Sequence, residues 1–298
     1  MKLLPEPDFF IGSTAPCTGG LAAIENLAAI YGKKLYVLQI PQSDTAGNVA
    51  FLADQLRGLV EFVVEHTGEA LDPGRLLQAV DLSNLARRTM GEVYEAATRT
   101  PSPVNGKDLR NYGFVNSLFF GTDAAVRTAQ AFKDEFDRRT AAGKSGVPGE
   151  RFRILWIQNR IQFDNPVVKI LEEEYQASIV VDELNAITWD DLDPADPLPG
   201  MARRIISIPL NGSVERRLEH MRTIAKKYRV DGAINPCHWG CRQGTGARGL
   251  IADGLKAIGV PTLNLEVDCI DARNFSEGQI RTRLQAFMEM LEKGKAER

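Results

Sequence analysis

Between residues 231 and 259 the chain reads DGAINPCHWGCRQGTGARGLIADGLKAIG. Cys237, His238 and Cys241 in this stretch are the residues whose types and spacing best support chemistry. Thiolates and imidazoles are ligands for soft and borderline metal ions, and thiols are the chain's redox groups. An apolar strand over Gly232 to Asn235 runs into a tight loop holding Cys237, His238, Trp239, Gly240 and Cys241. A helix follows from Gly246 to Ile258, with Ala247, Leu250, Ile251, Leu255 and Ile258 on one face at helical spacing. At such a junction the orphan N–H groups and the positive end of the helix favour a thiolate over a thiol. Open α/β sheets also hold their ligands at the carboxyl ends of strands. The loop is therefore expected to be a soft-metal or redox site.

The other cysteines fall in similar places. Cys17 follows a strand and precedes a helix, and Cys269 ends the strand TLNLEVD. If the strand ends share one cleft, these thiols can converge on a single ion or cluster. No compact CxxCxxC spacing is present, so a cluster must be assembled from distant parts of the chain. The CHxxC cluster of Cys237, His238 and Cys241 suits zinc equally well. The plain alternative, for Cys17 and Cys269 above all, is a small buried hydrophobe. Glu266 and Asp268 crowd the end of the last strand with Asp271 and Arg273. These carboxylates either orient a substrate and serve as base or cap the next segment. Gly244, Gly246 and Gly249 do not fit a nucleotide fingerprint and instead allow a close backbone approach. Arg281 and Arg283 either hold a ligand's phosphates or pair with surface acids. Trp239 either shields a cluster from water or packs.

The elements that must position these residues form a repeating strand–helix pattern. Asp8 to Ser13 reads as a strand, Leu21 to Tyr31 as a helix closed by Gly32, and Lys34 to Ile40 as the next strand. Ala46 to Thr140 is almost wholly helical, broken at Gly68, restarted at Asp72-Pro73 and interrupted by TPSPVNGKD. AAGKSGVPGE, 141–150, reads as the domain linker. Beyond it, strands over Arg153 to Gln158, Ser178 to Val181, Gly232 to Asn235 and Thr262 to Val267 alternate with helices near Pro166 to Tyr175, Val214 to Tyr228 and Gly246 to Ile258. Trp189 to Pro199, with three prolines, reads as a loop, and Glu277 to Glu292 as a closing helix. The expected fold is α/β, with two doubly wound, flavodoxin-like parallel-sheet domains. These are residues 1–148, carrying a long helical insertion, and residues 149–298, with a cluster site in the cleft between them.

Composition bounds the function. The 298 residues are 44% apolar and 25% charged, ordinary for a globular protein with a full core. A net charge of -3 gives no support for nucleic-acid or anionic-membrane binding. No apolar run reaches the ~18 residues of a membrane span. The N-terminus, MKLLPEPDFFIGS, lacks the basic start and apolar core of a signal peptide. The expectation is a cytoplasmic protein whose four cysteines serve metal or chemistry rather than disulfides.

With these residues in hand, the chain resembles the 2-hydroxyacyl-CoA dehydratase family, which includes benzoyl-CoA reductase subunits. LPEPDFFIGSTAPC looks like its P-x-P-D strand ending in a cluster cysteine. FLADQLRGLVEFVVEHTGEALD looks like its Q-L helix, and PSPVNGKD like its P-x-P turn. VDGAINPCHWGCRQGTGA resembles the second cysteine loop in the H-x-G-C-[KR]-Q form. GVPTLNLEVDCIDARNFSEGQIRTRLQAFMEML resembles the L-E-x-D and Q-x-R-T-R signature.

The resemblance implies a lyase subunit holding a [4Fe–4S] cluster on three cysteines, with one iron open. It implies an acyl-CoA substrate, a second dehydratase subunit in a heterodimer and an ATP-dependent activator iron–sulfur protein that injects one electron. The acyl-CoA thioester then becomes a ketyl radical and loses its hydroxyl in anaerobic metabolism. Residue by residue, it carries over Cys17 and Cys241 as ligands, with Cys241 preferred to Cys237 because it fills the H-x-G-C position. His238 accompanies them at the cofactor, and Cys241, Glu266 and Asp268 are the catalytic candidates. Family members usually carry a further cysteine upstream of the P-x-P-D strand. The expectation here is a shortened chain, or else Cys237 or Cys269 as third ligand. The alternatives are a benzoyl-CoA reductase-like or other low-potential electron-transfer subunit, or a non-catalytic partner subunit.

Overall fold

The computed structural model describes residues 5–109, 119–184 and 187–297. The chain divides into two compact units, Met1–Asp81 with Thr188–Ser213 and Leu82–Ile187 with Val214–Arg298.

The chain opens with strand β1 (Phe10–Ser13), helix α1 (Thr18–Tyr31) and strand β2 (Leu35–Leu38). The strands pair in parallel, from Phe10 opposite Leu35 to Ser13 opposite Leu38. The helix stops where Gly32 turns left-handed at φ 64°, which a glycine adopts without a Cβ penalty. Helix α2 (Ala46–Thr67) is capped by Thr45, whose hydroxyl oxygen accepts the Asn48 N–H at 3.3 Å. Helix α3 (Pro73–Ala96) follows Asp72, whose Oδ1 accepts the Gly74 and Arg75 N–H groups at 2.8 and 3.2 Å. The unit boundary falls inside α3, after Asp81.

Helix α4 (Asp123–Ala141) is capped by Thr122, and the helical expectation across 110–118 lies outside the described residues. The 141–150 stretch read as a linker lies within the second unit and is stitched into it. The Gly146 N–H donates to the Ser102 carbonyl at 2.8 Å, and Glu150 Oε2 accepts the Ser102 N–H at 2.9 Å. Strand β3 (Phe152–Trp156) leads to a turn of α-helix at Val167–Lys169 that continues as a π-helix over Ile170–Glu174, and then to strand β4 (Ala177–Asp182).

Helix α5 (Pro197–Ser207) lies where a loop was expected through Pro199. Pro197 and Pro199 sit in its first turn, where a missing N–H leaves no helical bond unmade, so they start the helix rather than prevent it. Ala202 and Ile206 of α5 share a core with Leu38 and with Val49, Leu52, Ala53 and Leu56 of α2.

Helix α6 (Val214–Lys227) returns the chain to strand β5 (Gly232–His238), the short helix α7 (Arg242–Thr245) and helix α8 (Arg248–Lys256). Strand β6 (Thr262–Val267) and helix α9 (Glu277–Ala296) close the chain. The sheet of the second unit is parallel in the order β4-β3-β5-β6, so strand order reverses between β3 and β5. Its core is dominated by the wholly buried β3 and β4 together with Met221, Leu255, Leu284, Phe287 and Met288.

One expectation around the cysteines is corrected. The strand does not stop at Asn235. It runs on through Pro236, Cys237 and His238, paired with Leu265, Glu266 and Val267. A proline is tolerated there because the Ala233 N–H bonds toward β6, to the Pro261 carbonyl, so by alternation position 236 faces β3. Pairing with β3 has already ended, at Trp156 opposite Ile234. The helix expected over Gly246 to Ile258 is found over Arg248–Lys256, and a separate short helix over Arg242–Thr245 precedes it. Among the described residues no helix is long and apolar enough to cross a membrane.

Candidate functional site

Cys241 is the N-cap residue of α7, half-buried and just beyond the carboxyl end of β5. With only four residues, α7 is too short for a helix dipole to decide the state of the sulfur. What holds the sulfur is a side chain that the motifs did not single out. The Gln158 amide Nε2 donates to Cys241 Sγ at 2.8 Å. Gln158 follows β3, so this contact joins the ends of the two strands between which the sheet order reverses.

Gln158 is itself anchored in the interior. Its Oε1 accepts Arg217 Nη2 at 3.1 Å. Arg217 forks onto the Glu183 carboxylate at 2.5 and 2.8 Å and donates Nη1 to the Gln243 carbonyl at 2.7 Å. Glu183, Arg217 and Gln158 are 0%, 3% and 3% exposed, which is tolerable for charges only because each is paired and hydrogen-bonded. Gly244 permits the arrangement. A Cβ there would stand 3.1 Å from Asn159 Nδ2 and 3.5 Å from Gln158 Oε1, so the close approach is to these side chains. Asn159 Nδ2 is buried and has no hydrogen-bond partner, leaving an unused donor beside the Cys241 loop.

Cys237 and His238 occupy the strand rather than the loop. The Cys237 thiol is fully buried and lies 3.5 Å from both the Asn235 carbonyl and Asn264 Oδ1. Burial pushes its pKa up, against the pull of Arg248. Cys269, 2% exposed, has its thiol pushed up to about 12 by burial, with Asp268 and then Cys241 and Cys237 adding to the effect. The backbone N–H of Cys269 donates to His238 Nδ1 at 3.1 Å, which places the ring's own proton on Nε2.

Asp268 works as a loop cap. It accepts the N–H groups of Ile270 and Asp271 at 2.9 and 3.0 Å and the Asn274 side-chain amide at 2.9 Å. These bonds hold its carboxyl at about 2. Asp271 pairs with Arg273, and Glu266, exposed, pairs with Arg248. Arg281 bonds Glu174 at 2.8 Å and Arg283 donates to the Asn264 carbonyl at 2.5 Å, so both have protein partners. Trp239 is 57% exposed and is not a packing residue.

Cys17 belongs to the first unit and caps α1. It is half-buried and shares an open concavity of about 450 Å³ with Ser13, Gly20, Leu21 and Ile24. A Cβ on Gly19 would touch its Sγ at 3.5 Å, so the glycine leaves open space beside the sulfur.

Iron–sulfur ligands must be thiolates with access to the site. Cys17 and Cys241 have that access, each half-buried at the start of a helix beyond a strand end. Cys237 and Cys269, buried and packed, do not offer that access. Among the described residues no set of three or more metal-binding side chains is drawn together. The Gln158–Arg217–Glu183 support escaped the sequence reading. The available signal was polar residues at each strand's carboxyl end, Gln158 directly after the apolar run of β3 and Asp182-Glu183 after that of β4.

The family model described as 2-hydroxyglutaryl-CoA dehydratase, D-component, matches residues 1–291. The chain is 27% identical to the lactoyl-CoA dehydratase subunit alpha of Anaerotignum propionicum, over 97% of this chain and 70% of that protein. It is 23% identical to the (R)-phenyllactyl-CoA dehydratase alpha subunit of Clostridium sporogenes, over 97% and 72% of the two chains. It is 24% identical to a benzoyl-CoA reductase subunit of Thauera aromatica, over 98% and 72%. With the match running from the P-x-P-D strand to the last helix, this chain belongs to the 2-hydroxyglutaryl-CoA dehydratase D-component family.

Proposed function

We propose that this chain is the iron–sulfur subunit of a 2-hydroxyacyl-CoA dehydratase with a [4Fe–4S] cofactor, and that Cys17 and Cys241 are among its ligand residues. The observation that carries this reading is the setting of Cys241, a half-exposed thiol where strand order reverses, with a buried amide donor on its sulfur. The family and the relatives named as dehydratase alpha subunits support the reaction class. Water leaves a 2-hydroxyacyl-CoA to give an enoyl-CoA through a ketyl radical, and the added electron is returned at the end. The one-electron step is needed because the β-proton is far too weakly acidic for a side-chain base beforehand.

When bound, such a cluster would relay the activator's electron and offer a Lewis-acidic iron. The chain's own residues orient and exclude. Cys17 stands half-buried at the start of α1 beside Gly19, and Gln158 fixes the sulfur of Cys241. Asp268 holds the loop after β6 in place, and that loop steadies the His238 ring. Glu266, exposed at the end of β6 beside Arg248, is the carboxylate that contacts the acyl-CoA. Cys237 and Cys269 serve as packing. The partners are a second dehydratase subunit, since the relatives carry subunit names, and an ATP-dependent activator as electron source.

One relative is a benzoyl-CoA reductase subunit, which gives a second reading, electron transfer to an aromatic acyl-CoA. Anaerobic assay with partner and activator separates the two. Turnover of 2-hydroxyacyl-CoA without reduction of benzoyl-CoA is expected. Reduction of benzoyl-CoA alone would transfer the assignment, and a complex that takes up no iron would end both readings.

A further inference from the structure

The most constrained group near either half-exposed thiol is Gln158. It has a left-handed backbone, φ 55°, at the end of β3. A non-glycine residue held there is strained and persists only where its surroundings impose it. Here the imposed feature is the direction of one amide. Arg217 has only donors to offer, so it must face Gln158 Oε1, and Nε2 is then turned onto Cys241 Sγ at 2.8 Å. Arg217 cannot turn away, because Glu183 holds it through two oxygens and Gln243 through a carbonyl. The order Glu183, Arg217, Gln158, Cys241 therefore fixes a donor on one sulfur from a wholly buried anchor.

Resting on the reading of Cys241 as a cluster ligand, we propose that Gln158 is a positioning residue that sets the orientation of the Cys241 sulfur and raises the reduction potential of the site. Added negative charge on a cluster is shared by its sulfurs, so an N–H donor on a ligand sulfur favours the reduced form. A hydrogen bond of ordinary net worth corresponds to about a tenfold change in the ratio of reduced to oxidised form. For a one-electron couple that is about 59 mV.

The test uses the full chain with its partner, reconstituted anaerobically with iron and sulfide. Iron per chain and the midpoint potential are read by redox titration followed by electron paramagnetic resonance. Q158M keeps the length and removes the donor, and Q158N tolerates the left-handed backbone but withdraws the amide by one methylene. Both are expected to hold iron at the wild-type level while the potential falls by about the tenfold equivalent. If Q158M does not fold, Q158N carries the comparison. A cluster present in wild type and variants at one unchanged potential would overturn the positioning role and leave the proposed function standing. Wild-type protein that takes up no cluster would overturn both.

Discussion

The backbone N–H of Cys269 donates to Nδ1 of His238 across 3.1 Å, tying the end of β6 to the end of β5. The end of β5 leads into the Cys241 loop, and the imidazole braces it against the loop after β6. Asparagine at position 238 supplies an acceptor oxygen, whereas alanine supplies none. His238→Ala should speed hydrogen exchange at the Cys269 amide and lower stability by about 1 kcal/mol. His238→Asn should retain most of the protection. Equal exchange in wild type and His238→Ala would show that the brace carries no load.

Arg153, 5% exposed, donates to the carbonyls of Tyr228, Arg99 and Ala97 at 2.7, 2.9 and 2.7 Å and to Glu150 at 2.7 Å. It joins β3 to the end of α6 and to the turn after α3. Arg153→Met leaves Glu150 buried without its cation, and loss of one partner of such a pair typically costs about 3–5 kcal/mol. Urea unfolding should register a loss of this size. A loss under about 1 kcal/mol would mean that the pair is dispensable.

Gly146 lies against the Val104 backbone, where a Cβ would meet the carbonyl carbon and oxygen at 2.4 Å. Backbone cannot rotate away as a side chain can, so Gly146→Ala should destabilise the second unit. Gly278→Ala, on α9 with nothing within 4 Å of its Cβ position, should not. Similar melting temperatures for the two variants would contradict the close approach.

Glu172 sits in the π-helical turn and accepts the Gly106 N–H at 2.6 Å. Burial pushes its carboxyl up to about 7 from 4.5, against the backbone donors that pull it down. The native state therefore keeps a proton that the unfolded chain releases, so stability is full below pH ~4.5 and falls as pH rises through ~7. The loss is on the order of 3 kcal/mol at most. Melting curves between pH 5 and 8 should slope downward in wild type and flatten in Glu172→Gln. The same slope in both proteins would rule out this carboxyl as the source.

The strand–helix alternation, the parallel pairing, the Asp72 and Gly32 caps and the closing helix are legible in the sequence, because apolar period and cap chemistry act locally. The extension of β5 through Pro236 is not, since a proline reads as a stop until one knows that no strand covers its N–H side. Pro197 misleads for the related reason that a proline at a helix start costs nothing. The cysteine positions are legible as types and spacings. Which of them stay buried depends on packing across β5 and β6, which no local pattern encodes. The Glu183–Arg217–Gln158 support joins residues following β4 and β3 to one on α6, and only the folded unit brings them together.

The central claim is that Cys17 and Cys241 are both required as cysteine ligands for iron. Its most direct test is iron content and the cluster's Mössbauer spectrum in the reconstituted complex of wild type, Cys17→Ser, Cys241→Ser and Cys237→Ser, with circular dichroism to confirm folding. The account predicts one four-iron cluster in wild type and Cys237→Ser, and its loss or conversion in each of Cys17→Ser and Cys241→Ser. An unchanged four-iron spectrum in either of those two folded variants would contradict it.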